Sequence, residues 1–162
     1  MNLRLPRLGE FGFTFLASCL IIVSVKAAAG PHDDAIKARQ ALMRLYDFNV
    51  GILSDMAKEK VEYDAAAASD AAANLLAAVS MKQGAIWPMG SDSETDGNRE
   101  NRALPTIWTT YPKIMEPSKA MHSAAVAMDA AAGDGLKSLQ GAIRDVSKSC
   151  SGCHNDYRAE RK

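Results

Sequence analysis

The segment Cys150-Ser151-Gly152-Cys153-His154 places two thiols and an imidazole within five residues. Residues three or four apart on a helix share one face. Both thiols can therefore reach the two vinyl groups along one haem edge, and the imidazole can bind the iron. The C-x-x-C-H spacing is typical of covalent attachment of a c-type haem. We expect Cys150 and Cys153 to form the thioether links and His154 to ligate the iron.

Three other functions of this motif explain its residues less well than haem attachment does. A zinc site needs about four ligands, and the other histidines, His32 and His122, lack ligand-like spacing. A thioredoxin-type redox pair follows a strand, and no segment of this sequence alternates with period two. A structural disulfide would leave His154 without a role. The haem interpretation gives all three groups of the motif a function.

Residues 1–27 are predicted to form a secretory signal peptide, with cleavage possible up to residue 29. Arg4 and Arg7 precede an apolar run over residues 11–25, and the small residues that follow fit an A-x-A cleavage site. The run is shorter than the roughly 20 residues of a membrane span, so no stable membrane insertion is expected after cleavage. The domain 28–162 is expected in the periplasm, an oxidising compartment.

Composition limits the class of protein. The 162 residues carry 19 Lys and Arg against 19 Asp and Glu, and 48% are hydrophobic. This size and composition favour one globular domain. Zero net charge argues against a nucleic-acid partner, which needs a basic surface. Abundant alanine, with only 6% aromatic residues, favours helices over strands.

Apolar periodicity predicts four helices joined as an antiparallel four-helix bundle, an all-α fold. The first three are predicted over residues 33–60, over residues 64–82, and from Pro112 or Pro117 to Gly133. The fourth is predicted over residues 134–161. Asp33 or Asp34 is expected to cap the first helix, and Asp64 the second. The Gly- and Pro-containing segment 83–105 is interpreted as a surface loop.

The last predicted helix carries an inward stripe that includes the chemical motif. Its members alternate steps of three and four along the chain: Leu136, Leu139, Ile143, Val146, Cys150, Cys153 and Tyr157. Such a stripe is typical of a helix packed in a left-handed bundle. The thiols are therefore expected to face the bundle interior, where a large apolar ring can be buried.

The chain resembles the class II cytochromes c, the cytochrome c prime superfamily. The resemblance rests on the stretches Ile36–Gln40, Trp87–Ser91, Pro105–Trp108 and Cys150–Arg158. It implies one covalent haem c with its iron, and the same bundle fold. Members of one branch have a methionine of the first helix as the sixth iron ligand. In the other branch that position is open to nitric oxide or carbon monoxide.

The residues of the first helix favour the branch with a methionine ligand. Counting from the Arg-Gln pair, the resemblance places the distal position at Met43, which also lies on the inward stripe. A thioether can ligate haem iron, although methionine also serves as a core filler. Arg39, one turn earlier, needs a counter-charge if it is buried. A haem propionate would supply that charge, and Gln40 could hydrogen-bond to the same group.

These features predict a periplasmic electron carrier and not an enzyme. Its partners are expected to be soluble or membrane-bound redox proteins, and the resemblance allows a homodimer formed through the first two helices. The alternative is a five-coordinate protein that binds nitric oxide or carbon monoxide. A peroxidase is disfavoured because the sequence offers no distal histidine beside Arg39.

Overall fold

The computed structural model describes residues 30–96 and 100–160. Five α-helices and one 3₁₀ turn, Gly84–Ile86, make up its regular structure. The helices are α1 (Asp33–Ala57), α2 (Ala65–Val79), α3 (Thr106–Thr109), α4 (Met115–Ala131) and α5 (Leu136–Tyr157). The predicted signal peptide lies outside the described residues and stays a prediction. None of the helices in the described ranges combines the length and apolar character needed to cross a bilayer.

The four long helices form the predicted all-α, antiparallel four-helix bundle. Helix α1 packs against α2, α2 against α4, α4 against α5, and α5 back against α1, so the packing closes into a ring. The links 58–64 and 132–135 are short, and short links make consecutive helices antiparallel neighbours. The short helix α3 was not predicted, and it packs against α5.

The bundle core contains the apolar positions that the periodicity predicted. Its fully buried side chains come from all four long helices: Leu53, Leu75, Ala125, Met128, Leu139 and Val146. Every member of the predicted inward stripe of α5 is buried or half-buried. Because this stripe follows α5 to its end, the haem-attachment motif faces the same interior as the core.

Helix α1 ends at Ala57, three residues before its predicted end. Glu59 takes a left-handed conformation, with φ of 55°. The N–H of Glu59 donates to the Met56 carbonyl, and the N–H of Lys60 donates to the Asp55 carbonyl, both at 2.9 Å. This pair of bonds is a Schellman motif, which satisfies the last carbonyls and stops the helix.

The predicted cap of α1 and the predicted start of α4 differ from the structure. Asp64 caps α2 as predicted, since its carboxylate accepts from the Ala67 N–H at 3.0 Å. The prediction for α1 was wrong, because His32 is the N-cap and Asp33 and Asp34 lie in the first turn. Their charges favour the helix dipole from there. Helix α4 begins at Met115, so neither Pro112 nor Pro117 is its first residue.

Helix α5 ends at Tyr157 and not at residue 161. Arg158 turns to an extended conformation, with φ of −125° and ψ of 124°, and forms an antiparallel bridge with Ala103. The Leu104 N–H donates to the Tyr157 carbonyl at 3.0 Å, and the Ala159 N–H donates to the Arg102 carbonyl at 2.8 Å. These bonds tie the chain after the motif to the segment before α3.

Candidate haem-binding site

The three groups of the C-x-x-C-H motif lie in the last two turns of α5. Cys150, Cys153 and His154 are half-buried, and both cysteines are free thiols. Cys150 packs against the main bundle core. Cys153 packs against a second, smaller apolar cluster built around Ile107 and Tyr157. The motif therefore lies where the two clusters meet.

Burial sets the protonation states of these groups. It raises the pKa of both Cys150 and Cys153, so the thiols keep their protons at neutral pH. It also lowers the pKa of His154, and the nearby charges of Arg158 and Arg102 lower that pKa further. A neutral imidazole has the free lone pair that metal ligation requires.

Met43 lies on the face of α1 that is turned toward this motif. It is half-buried and precedes Tyr46 and Asp47 by three and four residues, so the three share one face. Tyr46 packs against the same core cluster as Cys150. Asp47 is close enough to raise the pKa of Cys150, and Cys150 is close enough to raise the pKa of Tyr46. The Met43 face of α1 and the Cys150 face of α5 therefore meet in the bundle.

Arg39 is a buried cation that joins α1 to the segment after α2. Its side chain is 4% exposed. One terminal nitrogen donates to Ser91 Oγ at 2.9 Å, and the other donates to the Ser91 carbonyl at 2.7 Å and to Asn101 Oδ1 at 2.8 Å. The guanidinium also lies 4.6 Å from the centre of the Trp87 ring. These contacts span 52 and 62 residues of sequence, so Arg39 fixes the segment to the bundle.

The interpretation of residues 83–105 as a surface loop was wrong for its middle part. Ser91, Asp92 and Asn101 are buried, because they surround the Arg39 guanidinium. Burial raises the pKa of Asp92, but hydrogen bonds from the backbone of Thr95 and Glu94 outweigh burial and lower it. The sequence indicated this contact only through a single arginine on an inward stripe. A buried arginine needs polar or charged partners, but the sequence did not show which residues these are.

The remaining candidates have simpler surroundings. The Gln40 amide donates to the Glu100 carbonyl at 3.1 Å in an exposed position. The Trp87 and Trp108 rings lie 6.4 Å apart, and the Trp108 indole N–H donates to the Trp87 carbonyl at 3.2 Å. Tyr157 is buried, as expected of a packing residue. The tryptophans therefore hold the segment before α3 against the end of the bundle that carries the motif.

The donor set fits a covalently attached haem. The two free thiols share a helix face three residues apart and can each form a thioether. A neutral imidazole is the usual proximal ligand of haem iron, and a thioether is a usual second axial ligand in cytochromes c. The half-buried thiols lie next to two apolar clusters. These clusters provide the low-polarity surroundings that a porphyrin ring requires.

Comparison with known proteins agrees with this chemistry. The family model described as Cytochrome C' matches residues 34–158. Cytochrome c-554 of Cereibacter sphaeroides is 42% identical over 123 residues, which is 76% of this chain and 91% of that protein.

Two similar solved structures share the fold. A cytochrome c' from Rhodobacter superposes with a TM-score of 0.77 at 28% identity, covering 80% of this chain and 98% of that one. The nitric oxide complex of a cytochrome c prime variant from Alcaligenes xylosoxidans superposes with a TM-score of 0.68 at 28% identity, covering 83% and 100%. The chain therefore belongs to the cytochrome c' family of class II cytochromes c, whose members bind one covalent haem c with its iron.

Proposed function

We propose that this chain is an exported electron carrier, with haem c attached through Cys150 and Cys153 and the iron ligated by His154 and Met43. The observation that carries the proposal is the position of Met43. It shares a face of α1 with Tyr46 and Asp47, and Tyr46 packs against the same core cluster as Cys150. A thioether at this position lies on the side of the bundle interior that the C-x-x-C-H motif faces.

Each residue of the site has a defined role in this proposal. Each cysteine would hold the haem through a thioether, formed by addition of its S–H across one vinyl group, which needs no oxidant. The neutral imidazole of His154 and the neutral thioether of Met43 would hold the metal from two different helices. Because packing restrains both helices, the same two ligands can serve both oxidation states. When bound, haem iron supplies a one-electron redox couple, and the protein breaks no bond in a substrate.

Changing Cys153 to serine should leave a single thioether. We expect the protein to retain haem through Cys150 and His154 at reduced yield, with the pyridine haemochrome band shifted to longer wavelength because one vinyl group stays unsaturated. The exposed neighbour Ser151, changed to alanine, is the control and should give the unshifted band. An unshifted band in the Cys153 variant would contradict the assignment.

Arg39 and Gln40 are proposed to contact a haem propionate. The guanidinium already donates to Ser91 and Asn101, so a propionate would share it with these acceptors. Burial lowers the pKa of Arg39, while the charges of Asp96 and Asp92 raise it. A further carboxylate would add to the compensation of this buried cation.

The second candidate function is that of a five-coordinate cytochrome that binds nitric oxide or carbon monoxide. It is supported by the structural similarity to a cytochrome c prime variant solved as its nitric oxide complex.

The absorption spectrum of the mature holoprotein separates the two functions. We expect a low-spin ferric spectrum, and a ferrous spectrum that changes slowly or not at all when carbon monoxide is added. The physical reason is that an internal thioether occupies the position that the gas needs. A high-spin spectrum that responds to carbon monoxide within mixing time would instead establish the gas-binding function.

The proposed location and partners rest on the predicted export signal. We propose that the mature domain works in the periplasm and exchanges electrons with soluble or membrane-bound redox proteins.

A homodimer is also proposed, through an open apolar groove of about 410 Å³ between α1 and α2. Phe48, Met81 and Leu45 line the groove and are 66%, 58% and 45% exposed. A second copy would cover these side chains.

A further inference from the structure

A carboxylate without hydrogen bonds lies beside the start of α1. Both side-chain oxygens of Asp96 are shielded from solvent, and neither has a hydrogen-bond partner among the residues that the structure describes. The Arg39 guanidinium attracts Asp96 electrostatically, but its hydrogen bonds go to Ser91 and Asn101. A buried charge without hydrogen bonds is costly, so this position calls for a cationic hydrogen-bond donor.

Gly30 defines the place that such a donor would occupy. A Cβ built on Gly30 would lie 3.2 and 3.3 Å from the two carboxylate oxygens of Asp96, and 3.5 Å from Asp33 Oδ1. The Gly30 carbonyl accepts a hydrogen bond from the Asp33 N–H at 3.1 Å, which fixes the carboxyl side of the residue. The position of this Cβ is therefore within ion-pair distance of the carboxylates of Asp96 and Asp33.

A chain that begins at Gly30 can place its α-ammonium group at this point. A terminal residue is held only through its Cα–C bond, so rotation about that bond can move its nitrogen to the position of the Cβ. Glycine has no side chain that must turn with the nitrogen, whereas any other residue would need room for its own Cβ. Residues 27–29 are Ala-Ala-Ala, and a signal peptidase cleaves after an A-x-A-like sequence.

We propose that the signal peptide is cleaved between Ala29 and Gly30, and that the new Gly30 ammonium binds the buried Asp96 carboxylate with support from Asp33. The cleavage consumes one water molecule and leaves a carboxylate on Ala29 and an ammonium on Gly30. The two carboxylates offset the repulsion between the ammonium and the positive end of the α1 dipole. Cleavage after Ala27 would leave a neutral amide at Gly30, so no ammonium group would face Asp96. The inference rests on the proposed export and is independent of the haem ligands.

The first test is the intact mass and N-terminal sequence of the holoprotein exported from a host with haem maturation machinery. We expect a single species that begins Gly30-Pro31-His32. A product that retains one or both of Ala28 and Ala29 would overturn the cleavage site, whatever the spectrum of its haem.

The second test measures the ion pair by thermal unfolding of six holoproteins. Asp96→Asn is compared with the parent in the form that begins at Gly30, and again in a form that carries one extra alanine before Gly30. We expect Asp96→Asn to lower the unfolding midpoint by about 4 °C in the Gly30 form and to have little or no destabilising effect in the extended form. The control is Asp34→Asn, which removes an exposed carboxylate in the first turn of α1. It should change the unfolding midpoint by the same amount in both forms. Equal effects of Asp96→Asn in the two forms would overturn the ion pair.

Discussion

Replacing Met43 by alanine should convert the ferric iron from low-spin to high-spin and let the ferrous protein bind carbon monoxide. The thioether is the only contribution of Met43 to the metal, and the methyl group of alanine cannot replace it. The affinity for carbon monoxide should rise about 100-fold if the thioether leaves the iron in about 1% of the parent molecules, because occupancy of the site scales the apparent affinity. Absorption spectra and a carbon monoxide titration measure both changes.

Loss of packing must be separated from loss of a ligand in that experiment. Leu42, the adjacent residue on α1, is buried, and Leu42→Ala removes apolar contacts without touching a sulfur ligand. We expect Leu42→Ala to lower stability and to keep the low-spin spectrum. If Met43→Ala also keeps the parent spin state, Met43 is not an iron ligand.

Replacing Arg39 by alanine should destabilise the bundle by about 3 kcal/mol or more. The loss has two parts, because the variant removes three buried hydrogen bonds to Ser91 and Asn101 and also removes the cation that stacks on Trp87. Arg39→Lys should recover only part of the loss, since an ammonium cannot donate in the fork geometry of a guanidinium. Chemical unfolding of the holoproteins, followed by circular dichroism, gives the free energies.

The matched control for Arg39 is Arg44, an exposed arginine on the same helix. Arg44→Ala should change stability by less than about 0.5 kcal/mol. Amide hydrogen exchange adds a local readout, because loss of Arg39 should speed exchange in residues 84–104 more than in α4. Uniform exchange across the bundle, or equal stability losses in the two arginine variants, would show that Arg39 does not anchor this segment.

The positions of the long helices and the motif were predictable because they depend on local period and spacing. The stripe from Leu136 to Tyr157 repeats by threes and fours, and every member is buried or half-buried. The end of α1 was not predictable from apolar periodicity, because it depends on a left-handed Glu59, a residue type without a special preference for that conformation. The burial of Ser91 and Asn101 was also missed, because it arises from Arg39, more than 50 residues away.

The residues of the candidate site also fall into those that the sequence could predict and those that it could not. Cys150, Cys153 and His154 are close in sequence, so helix geometry alone brings them together. The position of Met43 relative to this motif depends on how α1 packs against α5. The inward stripes indicated that these helices pack together, but they did not show how far one helix is shifted along the other. The environment of Asp96 could not be predicted, since it depends on where a polar segment of low periodicity returns to the start of α1.

The closing contact of the bundle joins α1 to α5, the helices farthest apart along the chain. If the chain is exported as proposed, its amino-terminal helices cross the membrane first, so α1, α2 and α4 can associate before the residues that carry the thiols arrive. Until α5 docks, the ring stays open along the side that it will fill. Cofactor attachment and the final step of folding therefore compete for one exposed helix, and a faster attachment enzyme should raise the yield of the coloured product.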